Sequence, residues 1–283
     1  MIAREVLHDA IQYLKKTGCD TPRLDAEVLL MHAWGITATQ LFTRALDELP
    51  HAVEEHFQAM LQQRGQACPI AYITGHKEFW SRDFEVSPDV LIPRPETEHL
   101  IEEVLKCYPH QDAAYDFSEI GTGSGCIAIT LACEYPHASI LATDISEKAL
   151  NIARNNAKKH GVLERIDFRQ GDVYQAFPTS LPPLDLLVSN PPYLSLQHMD
   201  DIAVELTYEP SIALTDQQDG LSLLYKILFD AEHWLKPQGY CVVETGLSGL
   251  PETPKSLVLD HLYHDLAGLL RGGVYHHHMR DSR

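Results

Sequence analysis

The chain has no apolar run approaching the roughly 18 residues that a membrane span needs, and its six cysteines (19, 68, 107, 126, 133 and 241) form no Cys-x-x-Cys pair. The first absence excludes a spanning helix. The second argues against a zinc site and for thiols kept reduced in a cytoplasm. The N-terminus lacks the apolar core of a secretory signal and quickly turns amphipathic. Basic residues are also scarce: 22 Lys and Arg stand against 40 Asp and Glu, a formal charge of −18. Duplex nucleic acid is held largely by neutralising its phosphates. A chain this acidic is therefore a poor general binder of it, and a basic protein partner or a small molecule suits it better. No internal repeat or low-complexity tract is visible. At 283 residues and 45% hydrophobic, the chain is long enough for one large or two modest globular domains.

What is present changes character along the chain. Residues 1–75 are expected to form a small helical domain. Ile2, Val6, Ala10 and Leu14 fall on one stripe. Thr21-Pro22 opens a second helix, with Leu24, Val28 and Met31 read as its apolar positions and Gly35 as its end. A short helix from Thr37 and a longer one after Pro50 complete the set. Residues 70–75, 78–80 and 84–86 alternate in the manner of a β-hairpin. This hairpin, at about 70–90, is expected to link the helical domain to a second domain over 76–283. Strands are then expected at 115–120, 139–143, 165–169, 184–188 and 240–244, with a terminal pair at 258–259 and 273–275. Helices are expected between them, including 126–135, 146–160 and a long one over 220–235. Such alternation marks a parallel sheet. His276-His277-His278 is expected as a solvated tail.

The run Leu184 to Val188 stops at Asn190-Pro191-Pro192-Tyr193. Proline supplies no N–H and fixes φ, so the ladder ends there. Asn190 thus stands at the carboxyl end of a strand, where open α/β sheets bind ligands. Asn190 offers an amide oxygen, Pro191 and Pro192 offer carbonyls, and Tyr193 offers an aromatic face. This acceptor-rich wall suits a planar –NH2 group; a proline-terminated loop with an Asx turn is the alternative. Upstream, Glu119-Ile120-Gly121-Thr122-Gly123-Ser124-Gly125 joins a strand to a helix, and its glycines let the backbone approach a ligand closely. The spacing G-x-G-x-G differs from the dinucleotide fingerprint G-x-G-x-x-G. Asp144 ends the next strand, at about the 20-residue offset that suits ribose hydroxyls, or else caps the helix at Ser146. Asp172 suits an adenine amino group with Val173 beside the ring, or is a simple turn residue. Glu119 suits the amino end of an amino-acid-like cofactor, or is a buried cap. Arg94, Glu96 and Glu98 either shape the mouth of the site or charge a helix start to suit its dipole.

Glycine turn, two strand-end acids and Asn-Pro-Pro-Tyr, in that order along an α/β chain, resemble the class I methyltransferases that use S-adenosylmethionine. Asn-Pro-Pro-Tyr resembles the subset that methylates amino nitrogens in planar π-systems: glutamine amides, adenine N6 and guanine N2. Val90-Leu91-Ile92-Pro93-Arg94-Pro95-Glu96-Thr97-Glu98, taken with Asn190 to Tyr193, is similar to the HemK/PrmC family of peptide chain release factor N5-glutamine methyltransferases. The resemblance covers nearly the whole chain. It implies a Rossmann-like, mostly parallel, seven-stranded α/β sheet behind a small N-terminal helical domain that recognises substrate. It implies S-adenosylmethionine as cofactor and S-adenosylhomocysteine as product. Cofactor contacts are implied at Gly121, Thr122, Gly123, Ser124, Gly125, Asp144, Val173 and Asn190. Substrate contacts and catalysis are implied at Asn190, Pro191, Pro192 and Tyr193. Glu119 stands where the family usually has Asp, a longer reach to the same contact. The implied partners are peptide chain release factors 1 and 2, through the glutamine of their Gly-Gly-Gln motif. No metal, no stable nucleic-acid binding and no membrane association are expected, and the location is cytoplasmic. A nucleic-acid amino methyltransferase and a non-catalytic cofactor-binding protein are the alternatives.

Overall fold

The computed structural model describes residues 1–246 and 248–278. The chain folds as two compact units, Met1–His76 with Ala203–Tyr208, and Lys77–Ile202 with Glu209–Arg283.

The first unit contains α1 (Ala3–Lys16), α2 (Pro22–Trp34), α3 (Ala38–Thr43), α4 (His51–Gly65) and α5 (Ile70–Thr74). The expected stripe on α1 is buried at Val6, Ala10 and Leu14. On α2 the expectation fails: Leu24 is 57% exposed, and the buried residues are Asp25, Ala26, Leu29 and Leu30. The cause is an inward acid. Arg64 on α4 donates from Nε to Asp25 Oδ2 at 2.6 Å and pairs through Nη2 with Glu205 at 2.5 Å. A buried charge needs its partner more than a leucine needs cover, so the pair sets the rotation of α2. Residues 70–74 are also helical, not the first strand of a hairpin. Pro69 presets the first turn and its carbonyl accepts from Tyr72 and Ile73; Gly75, at φ +77°, ends it.

The hairpin is accordingly shorter than expected: β1 (His76–Phe79) and β2 (Arg82–Glu85). Trp80 and Ser81 both have positive φ, +52° and +56°, as a two-residue I′ turn demands. The second unit continues with α6 (Glu98–Cys107), β3 (Asp116–Ile120), α7 (Cys126–Glu134), β4 (Ser139–Asp144), α8 (Glu147–Lys159), β5 (Ile166–Gln170), β6 (Leu184–Ser189), α9 (Ser211–Leu214), α10 (Ser222–Asp230), β7 (Leu235–Glu244), β8 (Leu257–His264) and β9 (Leu270–His277). The long helix expected over 220–235 ends early, because Leu235 is buried opposite Leu184 and already belongs to β7. The expected histidine tail is also revised: His276 and His277 extend β9, and His277 Nδ1 lies 3.1 Å from the Leu235 carbonyl oxygen.

The seven-stranded sheet runs in the order β5-β4-β3-β6-β7-β9-β8. All its pairs are parallel except β7 with β9 and β8 with β9. Successive residues of β3, β6 and β7 supply two opposite cores. Phe117, Leu186, Val188 and Val242 pack with Leu100, Ile101, Val104 and Ile127 from α6 and α7. Ile120, Leu187, Cys241 and Val243 pack with Leu224, Ile227 and Leu228 from α10. The chain reverses its direction of winding between β3 and β6, so the crevice at the carboxyl ends of these strands is a topological switch point. The register fixes what meets there. Ile120 lies opposite both Thr143 and Ser189, and Ser189 lies opposite Val243. Residues just beyond Ile120, Thr143, Ser189 and Val243 therefore share one level.

Candidate active site

The turn after β3 is left-handed at Gly121, Gly123 and Gly125. At Gly125 (φ +83°) a Cβ would lie 2.8 Å from Ile129 Cδ1 and 3.1 Å from Ala153 Cβ, so only glycine lets α7 approach α8 here. Asp144 Oδ2 accepts from the Gly123 N–H and Oδ1 from the Ser146 N–H, each at 2.9 Å. Asp144 thus pins the glycine turn and the backbone of Ser146, which is itself the N-cap of α8, and it also lines a cleft. Burial raises its carboxyl from the usual value while the backbone donors from Ser146 and Gly123 oppose that.

The cleft is mostly apolar. Its lining includes Val90 and Leu91, then Ile120, Gly121 and Gly123 at the end of β3, Asp144, Ile145, Gly171, Asp172 and Val173 at and after the ends of β4 and β5, and Asn190, Pro192 and Leu223. Val173 is buried at φ +51°, an unusual conformation for a β-branched residue, and such strain concentrates at ligand sites. Asp172 Oδ2 accepts from Lys226 Nζ at 2.6 Å.

Not every expected contact lines this cleft. Thr122, Ser124 and Gly125 build the turn from behind: the Thr122 hydroxyl donates to Glu119 Oε2 at 2.6 Å, and the Ser124 carbonyl accepts from Asn156 Nδ2 at 2.9 Å. Pro191 and Tyr193 are also outside the lining. The Tyr193 ring rests on Gly246, where a Cβ would lie 2.5 Å from its Cδ2; burial pushes its hydroxyl up to about 12. Glu119 is 1% exposed. Its Oε2 also accepts from the Ala128 N–H at 3.0 Å, so it caps α7, yet its Oε1 has no partner among the described residues. Burial pushes this carboxyl up to about 8. Glu119 is itself outside the cleft lining, but an unpartnered buried acceptor of this kind suits an ammonium group, and the residues present fit an amino-acid-bearing nucleoside.

The sequence alone did not find Thr97, Glu209 or Glu244. Asn190 Nδ2 donates to Thr97 Oγ1 at 3.0 Å. Glu244, 1% exposed, ends β7 one residue past Val243, which lies opposite Ser189, and burial pushes its carboxyl up to about 7. Its position at the end of a strand, like that of Asp144, is the signal that was there to be used. Buried Glu209 accepts from the Ile92 N–H at 3.0 Å and from Arg94 Nη2. Arg94 is thereby committed to holding the extended segment that walls the cleft. Nothing local in the sequence announces Glu209, because its partners lie 115 and 117 residues away.

Residues 5–75 match the PrmC N-terminal domain family, and residues 97–220 match the methyltransferase small domain family. A "Bifunctional methyltransferase" of Rickettsia conorii is 36% identical over 94% of this chain, but the chain spans only 56% of that relative. A "Release factor glutamine methyltransferase" of Xylella fastidiosa is 42% identical over 79% of this chain and 80% of its own length. The protein of that name from Moorella thermoacetica is 39% identical over 87% and 86%. Among solved structures, the hMettl16 catalytic domain superposes with a TM-score of 0.55 at 14% identity, over 79% of this chain and 82% of that one, a likeness of fold alone. With relatives this similar over most of both lengths, the chain belongs to the release factor glutamine methyltransferase family.

Proposed function

We propose that the protein transfers a methyl group from S-adenosylmethionine to the side-chain amide nitrogen of the glutamine in the Gly-Gly-Gln motif of class 1 peptide chain release factors. The observation that carries this reading is the placement of Asn190-Pro191-Pro192-Tyr193 at the carboxyl end of β6, with Asn190 in the lining of a cleft shared with the glycine turn and Asp144. Gly121, Gly123, Asp144, Asp172 and Val173 hold the nucleoside, with Glu119 Oε1 taking the amino-acid end. When bound, S-adenosylmethionine supplies an electrophilic methyl group on a positively charged sulfur. Asn190 Oδ1 and the Pro191 carbonyl accept the two hydrogens of the substrate amide and orient its nitrogen, an effect of position. The same oxygens stabilise the positive charge that grows on that nitrogen. Tyr193 packs its ring against the amide plane. The nitrogen then loses a proton to water, so no general base is assigned.

Residues 1–75 serve as the recognition domain and 76–283 as the transferase domain, with release factors 1 and 2 as partners in the cytoplasm. The deciding experiment uses labelled S-adenosylmethionine with a wild-type release factor, its Gln→Ala variant at Gly-Gly-Gln, and RNA or DNA. Label on the wild-type factor alone is expected. Label on nucleic acid would replace this reading with an amino methyltransferase of bases, and label on nothing would replace it with cofactor binding without transfer.

A further inference from the structure

We infer that Glu209 is a positioning residue that joins two separate chain segments lining the cleft and thereby sets its affinity for the nucleoside. The inference rests on the cofactor reading above and adds to it a residue that lies outside the lining.

The first segment supplies Asp89, Val90 and Leu91 to the lining, and the second supplies Pro210, Ile212 and Ala213. Neither belongs to the seven-stranded sheet. The first is extended and interrupted by Pro93 and Pro95, which have no N–H, so a strand ladder cannot hold it. The Ile92 N–H is the donor next to the lining residue Leu91, and Ile92 is 5% exposed. Glu209 satisfies it. Its Oε2 accepts from the Ile92 N–H at 3.0 Å, and its Oε1 accepts from Arg94 Nη2. One carboxylate thus fixes the first segment at two points, on either side of Pro93. Pro210, the residue after Glu209, is already in the lining. The far end of the second segment is tied as well. The Leu194 N–H donates to the Leu214 carbonyl at 3.0 Å, and Leu194 forms a bridge with Thr215. Leu194 directly follows Tyr193. The second segment therefore runs from the wall at Ile92 and Arg94 to the end of the Asn-Pro-Pro-Tyr stretch.

A buried carboxylate is an expensive device for joining two loops. The Glu209 side chain is 1% exposed, against 30% for Arg94. Apolar groups in place of such a pair often give equal stability. What they do not give is direction: loops in apolar contact can slide, whereas an ionised carboxylate accepts its two donors in a defined geometry. Direction matters here because the residues next to both ends of the link line the cleft. Without Glu209 the first segment samples open positions, and a nucleoside must close it on binding. Its apparent affinity then falls in proportion to the fraction of molecules still closed.

The test compares the wild type with Glu209→Ala, Glu209→Gln and Arg94→Gln. The two glutamine variants keep a polar side chain at each position, so the inference stays testable should Glu209→Ala fail to fold. The measurements are S-adenosylhomocysteine affinity by calorimetry, amide hydrogen exchange by NMR with and without that ligand, the melting temperature, and kcat and KM for S-adenosylmethionine. In Glu209→Ala the affinity is expected to fall about 10- to 100-fold, as for a closed fraction of roughly one-tenth to one-hundredth. The glutamine variants should show smaller losses in the same direction. KM for S-adenosylmethionine should rise in step, while kcat at saturation falls far less. The Ile92 amide should exchange faster than in the wild type in the unliganded Glu209 variants and slow again once S-adenosylhomocysteine is bound. Unchanged affinity where the Ile92 amide exchanges fast overturns the inference, as does wild-type exchange in the unliganded Glu209 variants. Fast exchange spread equally through β3 and β4, with a lowered melting temperature, also overturns it, because Glu209 would then support the whole unit and not the cleft wall. A wild type that binds S-adenosylhomocysteine but transfers no label to the release factor refutes the transfer reading, and the affinity and exchange results still decide the role of Glu209. A wild type that binds no S-adenosylhomocysteine overturns both.

Discussion

At the scale of single residues, Asn190 and Glu119 make different demands. Asn190→Ala removes one proposed acceptor of the substrate amide and leaves the rest of the cleft lining in place. Turnover on the release factor is expected to fall about 100- to 1,000-fold, the range for losing one oriented group that stabilises developing charge, while S-adenosylhomocysteine affinity changes little. Full activity in that variant would remove Asn190 from the chemistry. Glu119 gives a pH signature. Its folded carboxyl sits near 8 against an ordinary 4.5, so between those values the folded chain holds a proton that the unfolded chain has lost. Stability is then greatest below the lower value and falls as pH rises through the upper one. Glu244, pushed to about 7 by burial, acts in the same direction. Melting curves from about pH 5 to about pH 8.5 should show this decline, and Glu119→Gln should reduce it. A bound ligand bearing an ammonium group should reduce it too, by stabilising the ionised form; equal slopes in all three samples would count against the assignment. The glycine turn, Asp144 and Asn190 were legible because strand ends and chain-breakers announce themselves locally. Thr97 and Glu209 were not, because their roles arise from pairings such as Thr97 with Asn190, 93 residues apart.

At the scale of elements, the hairpin, α8 and the glycine turn are joined by one side chain. Asn156, 0% exposed on α8, accepts from the Glu85 N–H at 2.8 Å and donates to the Glu85 carbonyl at 3.0 Å and the Ser124 carbonyl at 2.9 Å. Asn156→Ala strips these buried backbone groups of their partners and should cost about 2–3 kcal/mol. That corresponds to a fall in melting temperature of roughly 4–12 °C for a protein of this size. Because the Ser124 carbonyl belongs to the glycine turn proposed to hold the cofactor, S-adenosylhomocysteine affinity should weaken as well, measurable by calorimetry; a stability loss with affinity intact would uncouple α8 from the turn. Gly246→Ala makes a second element-level test, since its Cβ would press on the Tyr193 ring at 2.5 Å. It should raise KM for the release factor more than it changes cofactor affinity. The sequence located most strands of the parallel sheet through their apolar runs and turn residues, and the terminal β8–β9 pair as well. It misjudged α2, α5 and the junction of α10 with β7 for separate reasons: a buried ion pair, a proline that opened a helical turn, and a leucine that a strand claimed before the helical pattern ended.

At the scale of the whole molecule, the first unit is not one continuous stretch. Residues 203–208 belong to it through Arg64 with Glu205 at 2.5 Å and the Tyr208 hydroxyl donating to the Gln66 carbonyl at 2.7 Å. No local pattern reveals such a return. Removing residues 1–70 takes Arg64 and Gln66 away from that segment, so the truncated chain is expected to keep S-adenosylhomocysteine affinity and show a much higher KM for the release factor; an unchanged KM would refute a recognition role. The charge balance gives a test that needs no mutation. With 22 basic against 40 acidic residues, the molecule carries a formal −18 and favours encounter with a basic partner. Exposed charges are screened over about 8 Å at physiological salt and over about 3 Å at 1 M. Raising salt across that range should therefore lower kcat/KM for the release factor through slower encounter. S-adenosylmethionine, proposed to lie in the mostly apolar cleft, should bind with nearly constant affinity. A kcat/KM that rises with salt would mean that the docking faces carry charge of the same sign, and the acidic surface would then oppose the substrate it is proposed to attract.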